Sequence, residues 1–200
     1  MDINNPGLIL YFLSVRKFEF DNEAMEEEEQ YNDDKSLKWI CDPLDGTAMY
    51  ARNIPVATFS LALVDDGVPV LGVIYDPFTD RLYEAIKGKG AKCNGVEIHV
   101  SDVPLYDKRG VINIDIWKDA EYDITQIFRD LVDASYTVSI GSVIRACTCV
   151  ANGEFIASVF PGTDGKFWDI AASKIIVEEA GGIADRRLPG AGVVHEERAH

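Results

Sequence analysis

Closely spaced strand patterns in the first half of the chain constrain its fold more than any other feature of the sequence. Asp65-Asp-Gly67 has the composition of a tight turn, and the connections around it are short, so neighbouring strands are expected to be antiparallel. Alternating and continuous apolar runs predict the strands over residues 38–42, 56–64, 68–75 and 81–86, with a further hairpin at Cys93-Asn-Gly-Val96.

In the second half of the chain, predicted strands alternate with helices. Strands are expected over residues 110–115, 136–140 and 155–160. Ser142 is a favoured residue type for capping a helix, and the helix after it is expected to run toward Gly153. Antiparallel strands followed by alternating strands and helices predict a layered α/β protein.

Two further helices have an apolar face at helical spacing. The helix over residues 119–133 is expected to turn inward Ala120, Ile124, Ile127, Phe128, Leu131 and Val132. Gly181-Gly182 supplies a stop signal for the last helix. Its buried face is expected to contain Trp168, Ala171, Ala172, Ile175 and Ile176.

Composition limits the classes of protein to which the chain can belong. Its 200 residues, 47% of them hydrophobic, suffice for one sizeable core, so a single domain over residues 1–200 is expected. The formal net charge of −15 argues against binding to nucleic acid or to an anionic membrane. No apolar run reaches the ~20 residues of a membrane span. The four cysteines lack CxxC spacing, which favours buried free thiols in a cytoplasmic protein over disulfides or zinc.

The segment Trp39-Ile-Cys-Asp-Pro-Leu-Asp-Gly-Thr47 carries the chemistry. Pro43 disfavours helical geometry at Asp42, which is therefore predicted to end a strand, and Gly46 permits a sharp turn. Asp42 and Asp45 would then face one small space beside free backbone N–H groups. Carboxylate oxygens are the ligands that a hard cation such as magnesium prefers, and backbone N–H groups at a helix start bind phosphate. The pattern therefore indicates a site for a phosphate ester held on magnesium. A surface turn, with Thr47 as a helix cap, is the simpler alternative.

A second segment favours the functional interpretation. Trp168-Asp-Ile-Ala-Ala172 and Glu179-Ala-Gly-Gly182 place Asp169 at the start of the last helix, where an aspartate ordinarily serves only as a cap or dipole partner. Together the two segments resemble the inositol monophosphatase family. The resemblance implies its α-β-α-β-α sandwich and magnesium-dependent, lithium-sensitive hydrolysis of a small phosphate monoester, with no covalent phospho-enzyme.

The resemblance covers roughly residues 8–185 and departs from the family at both ends. Only 41 residues precede Asp42, where the family usually has two long helices and a threonine-and-aspartate segment. Residues 186–200 have no clear pattern and are expected to form an irregular, exposed tail. The chain thus resembles a family member that is shortened at both ends.

The resemblance also implies roles for individual residues. The ligands of two or three Mg²⁺ ions would be Glu27, Asp42, the Leu44 carbonyl, Asp45 and Asp169. Glu26 and Glu28 are the alternatives to Glu27, and a solvated acidic run is the simpler interpretation of this segment. Thr47 and Glu27 would orient the attacking water, and the N–H groups of Gly46 and Thr47 would bind phosphate. Contacts to substrate are implied for Asp45, Asp169, Gly141 and Ser142, although the last two could merely cap a helix.

The substrate is less well specified than the reaction. Inositol-hydrolysing family members have a glutamate seven residues before the motif aspartate, where this chain has Gly162; Asp164 could substitute or could belong to a turn. A sugar bisphosphate, a 3′,5′-bisphosphate nucleotide, or a non-catalytic homologue acting through protein contacts are therefore alternatives to an inositol monophosphate-like metabolite. Family members are often dimeric, so a homodimer is one assembly that the resemblance implies.

Overall fold

The first half of the chain forms a six-stranded antiparallel sheet in which each strand pairs with the next along the sequence. A computed structural model describes residues 37–105, 107–116, 125–161 and 167–184. The strands are β1 Lys38–Asp45, β2 Thr58–Asp65, β3 Val68–Asp76, β4 Arg81–Ile86, β5 Ala91–Cys93 and β6 Val96–Ile98. The antiparallel order expected from the short connections is confirmed.

Two tight turns confirm the hairpin predictions. Asp66 and Gly67 have φ values of 48° and 76° between β2 and β3. Asn94 and Gly95 have φ values of 50° and 79° between β5 and β6. Two successive residues with positive φ are typical of the type I′ turn, whose twist matches that of the flanking strands.

The predicted end of the first strand was wrong. Asp42 does not end β1, because the strand continues to Asp45. Pro43 has no N–H for the ladder, but it occupies the edge strand of the sheet, where proline is tolerated. The proline therefore changes the register of β1 without ending it.

The alternation of strands and helices predicted for the second half of the chain is confirmed, and the three strands form a parallel sheet. β7 Val111–Ile114 lies between β8 Tyr136–Val138 and β9 Ala157–Val159. The helices of the described residues are α1 Thr47–Tyr50, which follows β1 directly, and then α2 Thr125–Ala134, α3 Val143–Ala151 and α4 Phe167–Glu179.

The core lies between one face of the six-stranded sheet and the helices α3 and α4. Ala171, Ala172, Ile175 and Ile176 of α4 are buried, as its apolar spacing predicted. They pack with Ile144 of α3 and with sheet residues that include Ala62, Ile74, Tyr83 and Ala85. α3 also contacts β9, so it lies against both sheets.

Helix α2 buries less than its pattern predicted. Phe128 and Val132 are 40% and 44% exposed, so the prediction that both turn inward was wrong. The main contact of α2 is with the short strand β8, which covers only a narrow part of the helix surface. The expected start of this helix at residue 119 lies outside the described residues.

Some expectations concern parts of the chain that the structure does not describe. The single domain over residues 1–200 and the irregular tail over 186–200 stay predictions, because residues 1–36 and 185–200 are not described. Within the described ranges, no helix is long and apolar enough to cross a membrane. The predicted cytoplasmic location stays a prediction. All four cysteines are free thiols. Cys149 is buried, whereas Cys41 is exposed, so the prediction of buried thiols was wrong for Cys41.

Candidate functional site

One extra residue in β1 turns both motif aspartates to the same face of the sheet. Asp42 lies opposite Ser60 and Asp45 lies opposite Thr58, so three steps along β1 match two steps along β2. In a regular strand, residues three apart point to opposite faces, whereas Ser60 and Thr58 share one face. The bulge therefore gives Asp42 and Asp45 a common side, and bulges of this kind are frequent next to active sites.

The backbone of the bulge is held by its own side chains. Leu44 N donates to Asp42 Oδ1 at 3.0 Å, so the Asp42 carboxylate binds the backbone within the bulge. Thr47 Oγ1 donates to the Leu44 carbonyl at 2.7 Å. Gly46 between them has φ of 80°, a left-handed conformation that glycine adopts without strain. The Leu44 carbonyl, predicted as a metal ligand, therefore has the Thr47 hydroxyl as a neighbour.

Asp45 is bound to the N-terminus of α3. Ser142 Oγ donates to Asp45 Oδ2, and Ile144 N donates to the same oxygen at 3.0 Å. Ser142 Oγ also accepts from Arg145 N at 3.1 Å, so the predicted cap of α3 is confirmed. A carboxylate is stabilised at this end of a helix by the N–H groups and the helix dipole. Ser142 thus caps the helix and also holds a site carboxylate, while its contact with substrate stays a prediction.

Gly141 and Gly46 bring the two loops of the site together. A Cβ atom placed on Gly46 would lie 3.1 Å from Ser142 Cβ and 3.4 Å from Ala57 Cα. A Cβ atom on Gly141 would lie 2.7 Å from Met49 Cε in α1. The close approach explains why both positions are glycine, and it places three of the predicted residues, Gly46, Gly141 and Ser142, in one region.

The pKa values of two cysteine thiols near the site are raised by desolvation and by the charge of the aspartates. Burial, and then the charge of Asp45, raise the pKa of the Cys147 thiol to about 12. Partial desolvation of the Cys41 thiol, and then the charge of Asp42, raise its pKa to about 11. A thiol must lose its proton to act as a metal ligand or nucleophile, and the raised pKa values disfavour that loss at both cysteines. The chemistry of the site therefore depends on its oxygen atoms.

The donors brought together here fit a hard divalent cation. Asp42, Asp45 and the Leu44 carbonyl offer only oxygen atoms, which magnesium prefers. The backbone of Asp169 lies in the first turn of α4, as predicted, but its side chain and all of Glu27 lie outside what the structure describes. Within the described part of the chain, no group of three or more His, Cys, Asp or Glu side chains forms a metal site.

Sequence reasoning missed two polar residues beside this site. Asn113 lies in β7 and Asp115 follows the strand directly, and they are 0% and 6% exposed. Both hydrogen-bond to the loop that leads into Ser142. Polar residues at alternate positions of the otherwise apolar run Val111-Ile-Asn-Ile-Asp115 were the available signal, because such residues share one face of a strand.

The fold and the site define a class of protein: a layered α/β protein with an acidic, all-oxygen site at a bulged strand next to a helix N-terminus. The model of the inositol monophosphatase family matches residues 11–195, and the chain belongs to this family. Members of the family are phosphatases and depend on magnesium in general.

Individual relatives agree with this assignment. The chain is 33% identical over 174 residues to the fructose-1,6-bisphosphatase/inositol-1-monophosphatase of Aquifex aeolicus, a match that covers 84% of the chain and 65% of that protein. It is 30% identical to the Nus factor SuhB of Pasteurella multocida, covering 75% of the chain and 57% of the relative. The inositol monophosphatase structure from Anabaena superposes with a TM-score of 0.68 at 33% identity, covering 76% and 60% of the two chains. The chain thus spans less than two thirds of the length of these relatives.

Proposed function

We propose that the chain is a magnesium-dependent phosphatase that hydrolyses a small phosphate monoester similar to inositol monophosphate. The observation that carries the proposal is the common face of Asp42 and Asp45, with Asp45 bound by Ser142 and Ile144 N at the start of α3. The carboxylates would hold a cation, and the backbone N–H groups of Gly46 and Thr47, which follow Asp45 directly, are of the type that binds a phosphate. Membership of the inositol monophosphatase family supports the same chemistry.

In this proposal, Asp42, Asp45 and the Leu44 carbonyl hold magnesium together with Asp169 and Glu27. Bound magnesium supplies a polarised water as nucleophile and charge stabilisation for the phosphoryl and leaving oxygens. Two or three ions and direct attack by water, without a covalent phospho-enzyme, are the expected arrangement. The oxygen donors of the bulge have the chemistry that this role needs.

The remaining residues of the proposed site bind the substrate and orient the attacking water. Thr47 Oγ1 donates its proton to the Leu44 carbonyl, which leaves the hydroxyl oxygen to accept a hydrogen bond from the attacking water. Glu27 is the proposed second partner of that water. The N–H groups of Gly46 and Thr47 are the proposed phosphate donors, and Gly141 and Ser142 border the substrate.

Two alternatives have support in the comparisons. The name of the Aquifex relative includes fructose-1,6-bisphosphatase, which favours a sugar bisphosphate as second candidate substrate. The Pasteurella relative is named a Nus factor and not a phosphatase, so a non-catalytic homologue is kept as the other alternative. A 3′,5′-bisphosphate nucleotide has no comparable support among these names. The proposed partner is a small phosphorylated metabolite, without nucleic acid or membrane, and the proposed assembly is a homodimer.

Phosphate release from a panel of esters tests the proposal. The full chain is incubated with inositol 1-phosphate, fructose 1,6-bisphosphate and a 3′,5′-bisphosphate nucleotide, with Mg²⁺ or with EDTA. We expect release only with Mg²⁺, fastest from the inositol ester, and inhibition by lithium. Release that is equal with EDTA, or absent from all three esters, would refute the proposal; faster release from the sugar bisphosphate would favour the second candidate.

A further inference from the structure

A buried pair of polar side chains lies at the end of β7, outside the proposed metal ligands. Asn113 is 0% exposed and Asp115 is 6% exposed. Asn113 Nδ2 donates to Asp115 Oδ2 at 3.0 Å and to Ser158 Oγ of β9 at 3.0 Å. Burying such groups is unfavourable unless each has partners, so their bonds fix the neighbouring backbone.

The pair binds three donors of the loop between β8 and α3. Ile140 N donates to Asn113 Oδ1 at 3.0 Å, and Gly141 N donates to Asp115 Oδ1 at 3.1 Å. Ser139 Oγ donates to the same oxygen of Asp115. Two successive backbone N–H groups and one hydroxyl are thus held by two side chains of a single strand.

This loop ends at the residue that contacts Asp45. Ser142 follows Gly141 directly, and its hydroxyl donates to Asp45 Oδ2. Gly141 also packs on Met49, where a Cβ atom would lie 2.7 Å from Met49 Cε. The position of Gly141 therefore affects both the N-terminus of α3 and the helix that follows the bulge.

We propose that Asp115 is a positioning residue of the site: it holds Gly141 so that Ser142 and Ile144 N stay in place on Asp45. The proposal rests on the proposed function, in which Asp45 binds magnesium. Asp115 contacts neither the cation nor the substrate in this scheme. It acts through the loop, so its loss should weaken cation and phosphate binding.

The chemistry of the cluster explains why an aspartate is needed. A carboxylate only accepts hydrogen bonds, and Asp115 accepts from Ser139, Gly141 and Asn113. An asparagine at position 115 would turn its NH₂ group either toward Gly141 N or toward Asn113 Nδ2, both of which are donors. Asn113 cannot rotate to relieve the conflict without losing its bond from Ile140 N.

The first experiment compares Asp115→Asn with Ser158→Ala. Ser158→Ala is the matched control, because it removes a bond of Asn113 inside the same cluster and leaves the loop bonds intact. Calorimetric titration measures the affinity for Mg²⁺ and, with Mg²⁺ present, for inorganic phosphate. Outer partners of metal ligands typically contribute about 10–100-fold to affinity. We expect Asp115→Asn to lose about tenfold or more in both affinities, and Ser158→Ala to change them less than about twofold even if its melting temperature falls.

Two further variants test the same inference without depending on the stability of Asp115→Asn. Ser139→Ala removes one donor from an exposed residue and should weaken both affinities in the same direction, but less. The exchange Asn113→Asp with Asp115→Asn restores an acceptor for every donor of the loop and should recover most of the affinity. Affinities that are unchanged in both Asp115→Asn and Ser139→Ala would overturn the inference.

Amide hydrogen exchange distinguishes failure of this inference from failure of the proposed function. If the unmodified chain binds no Mg²⁺, the proposed function fails, and the exchange rate of the Gly141 amide alone decides whether Asp115 holds the loop. We expect that rate to rise at least about tenfold in Asp115→Asn and to stay unchanged in Ser158→Ala, since exchange follows local opening. Equal rates in the two variants would overturn the inference.

Discussion

At the scale of single residues, the site depends on the offset between Asp42 and Asp45. Their three-residue separation would place them on opposite faces of a regular strand, and the bulge at Pro43 and Leu44 brings them to one face. Asp45 then meets two donors from a segment almost a hundred residues later in the sequence. Each of these contacts is local to a few atoms, so single substitutions can test them.

Asp45→Asn keeps the size of the side chain and removes its charge. The loss of a positioning partner costs about 10–100-fold in affinity or activity, so loss of a ligand should cost at least that much. We expect phosphate release by an active chain to fall by at least about tenfold, and Asp169→Asn to behave similarly. Asp65→Asn is the matched control, because it removes the same charge from the exposed far end of β2. Turnover of Asp45→Asn equal to that of the control would show that Asp45 is not a ligand.

At the scale of secondary structure elements, α4 is fixed to the six-stranded sheet at its middle and at its end. Gly72 in β3 lets the helix approach, since a Cβ atom there would lie 2.6 Å from Ile175 Cγ2 and 2.9 Å from the Ala172 carbonyl oxygen. Glu179 at the end of the helix accepts from the N–H groups of Gly88, Lys89 and Gly90, which connect β4 and β5. The helix that carries Asp169 is therefore held to the sheet at its middle and at its C-terminal end.

Gly72→Ala tests the packing of α4 on the sheet. In an open strand, alanine is more stable than glycine by roughly 0.5–1 kcal/mol. Here the added methyl group would overlap the helix, and overpacking costs about 1–3 kcal/mol, so we expect a net loss of stability of about 1–2 kcal/mol in urea unfolding. Ile175→Leu removes the closest atom, so the double variant should recover part of the loss. A Gly72→Ala chain more stable than the original would contradict this packing.

Glu179→Gln tests the contact at the end of α4. Burial raises the pKa of Glu179, but the three N–H donors outweigh it, so the pKa lies below its ordinary value of 4.5. The stabilisation is therefore present above that value and is lost as the pH falls through the lower pKa of the folded state. We expect Glu179→Gln to lose about 1–2 kcal/mol at pH 7 and a smaller amount below pH ~4. Glu178→Gln, at an exposed neighbour that pairs with Lys174, should change stability by less than about 0.5 kcal/mol. A constant difference between Glu179→Gln and the unmodified chain across this pH range would disprove the assignment.

Sequence periodicity predicted most elements correctly because local patterns determine them. The Asp-Gly and Asn-Gly turns, the cap at Ser142 and the buried face of α4 are all properties of a few neighbouring residues. The predicted end of β1 at Asp42 was wrong, because the formation of a bulge depends on the partner strand as well as on Pro43. The roles of Asn113 and Asp115 were missed, because their partners lie more than twenty residues away in the sequence.

At the scale of the whole molecule, charge is the dominant feature. The chain carries 34 acidic and 19 basic residues, a formal net charge of −15. Net charge far from zero destabilises a compact state through self-repulsion, and it attracts cations without specificity. A specific magnesium site must therefore be distinguished from general screening by salt.

Thermal unfolding with and without Mg²⁺ makes that distinction. Converging carboxylates repel one another unless a cation is present. A cation that binds only the folded chain adds about 2.7 kcal/mol at a hundred times its dissociation constant. For a chain of this size each kcal/mol corresponds to about 2–4 °C, so we expect the melting temperature to rise by roughly 5–10 °C at saturating Mg²⁺.

Two controls separate the specific effect from screening. Monovalent salt at matched ionic strength should give a smaller rise, because it relieves the self-repulsion without binding the site. Asp45→Asn changes the net charge by a single unit but removes a proposed ligand, so its response to Mg²⁺ should fall to that of the salt control. If Asp45→Asn is stabilised by Mg²⁺ as much as the unmodified chain, the stabilisation comes from general screening, and magnesium binding at Asp45 is disproved.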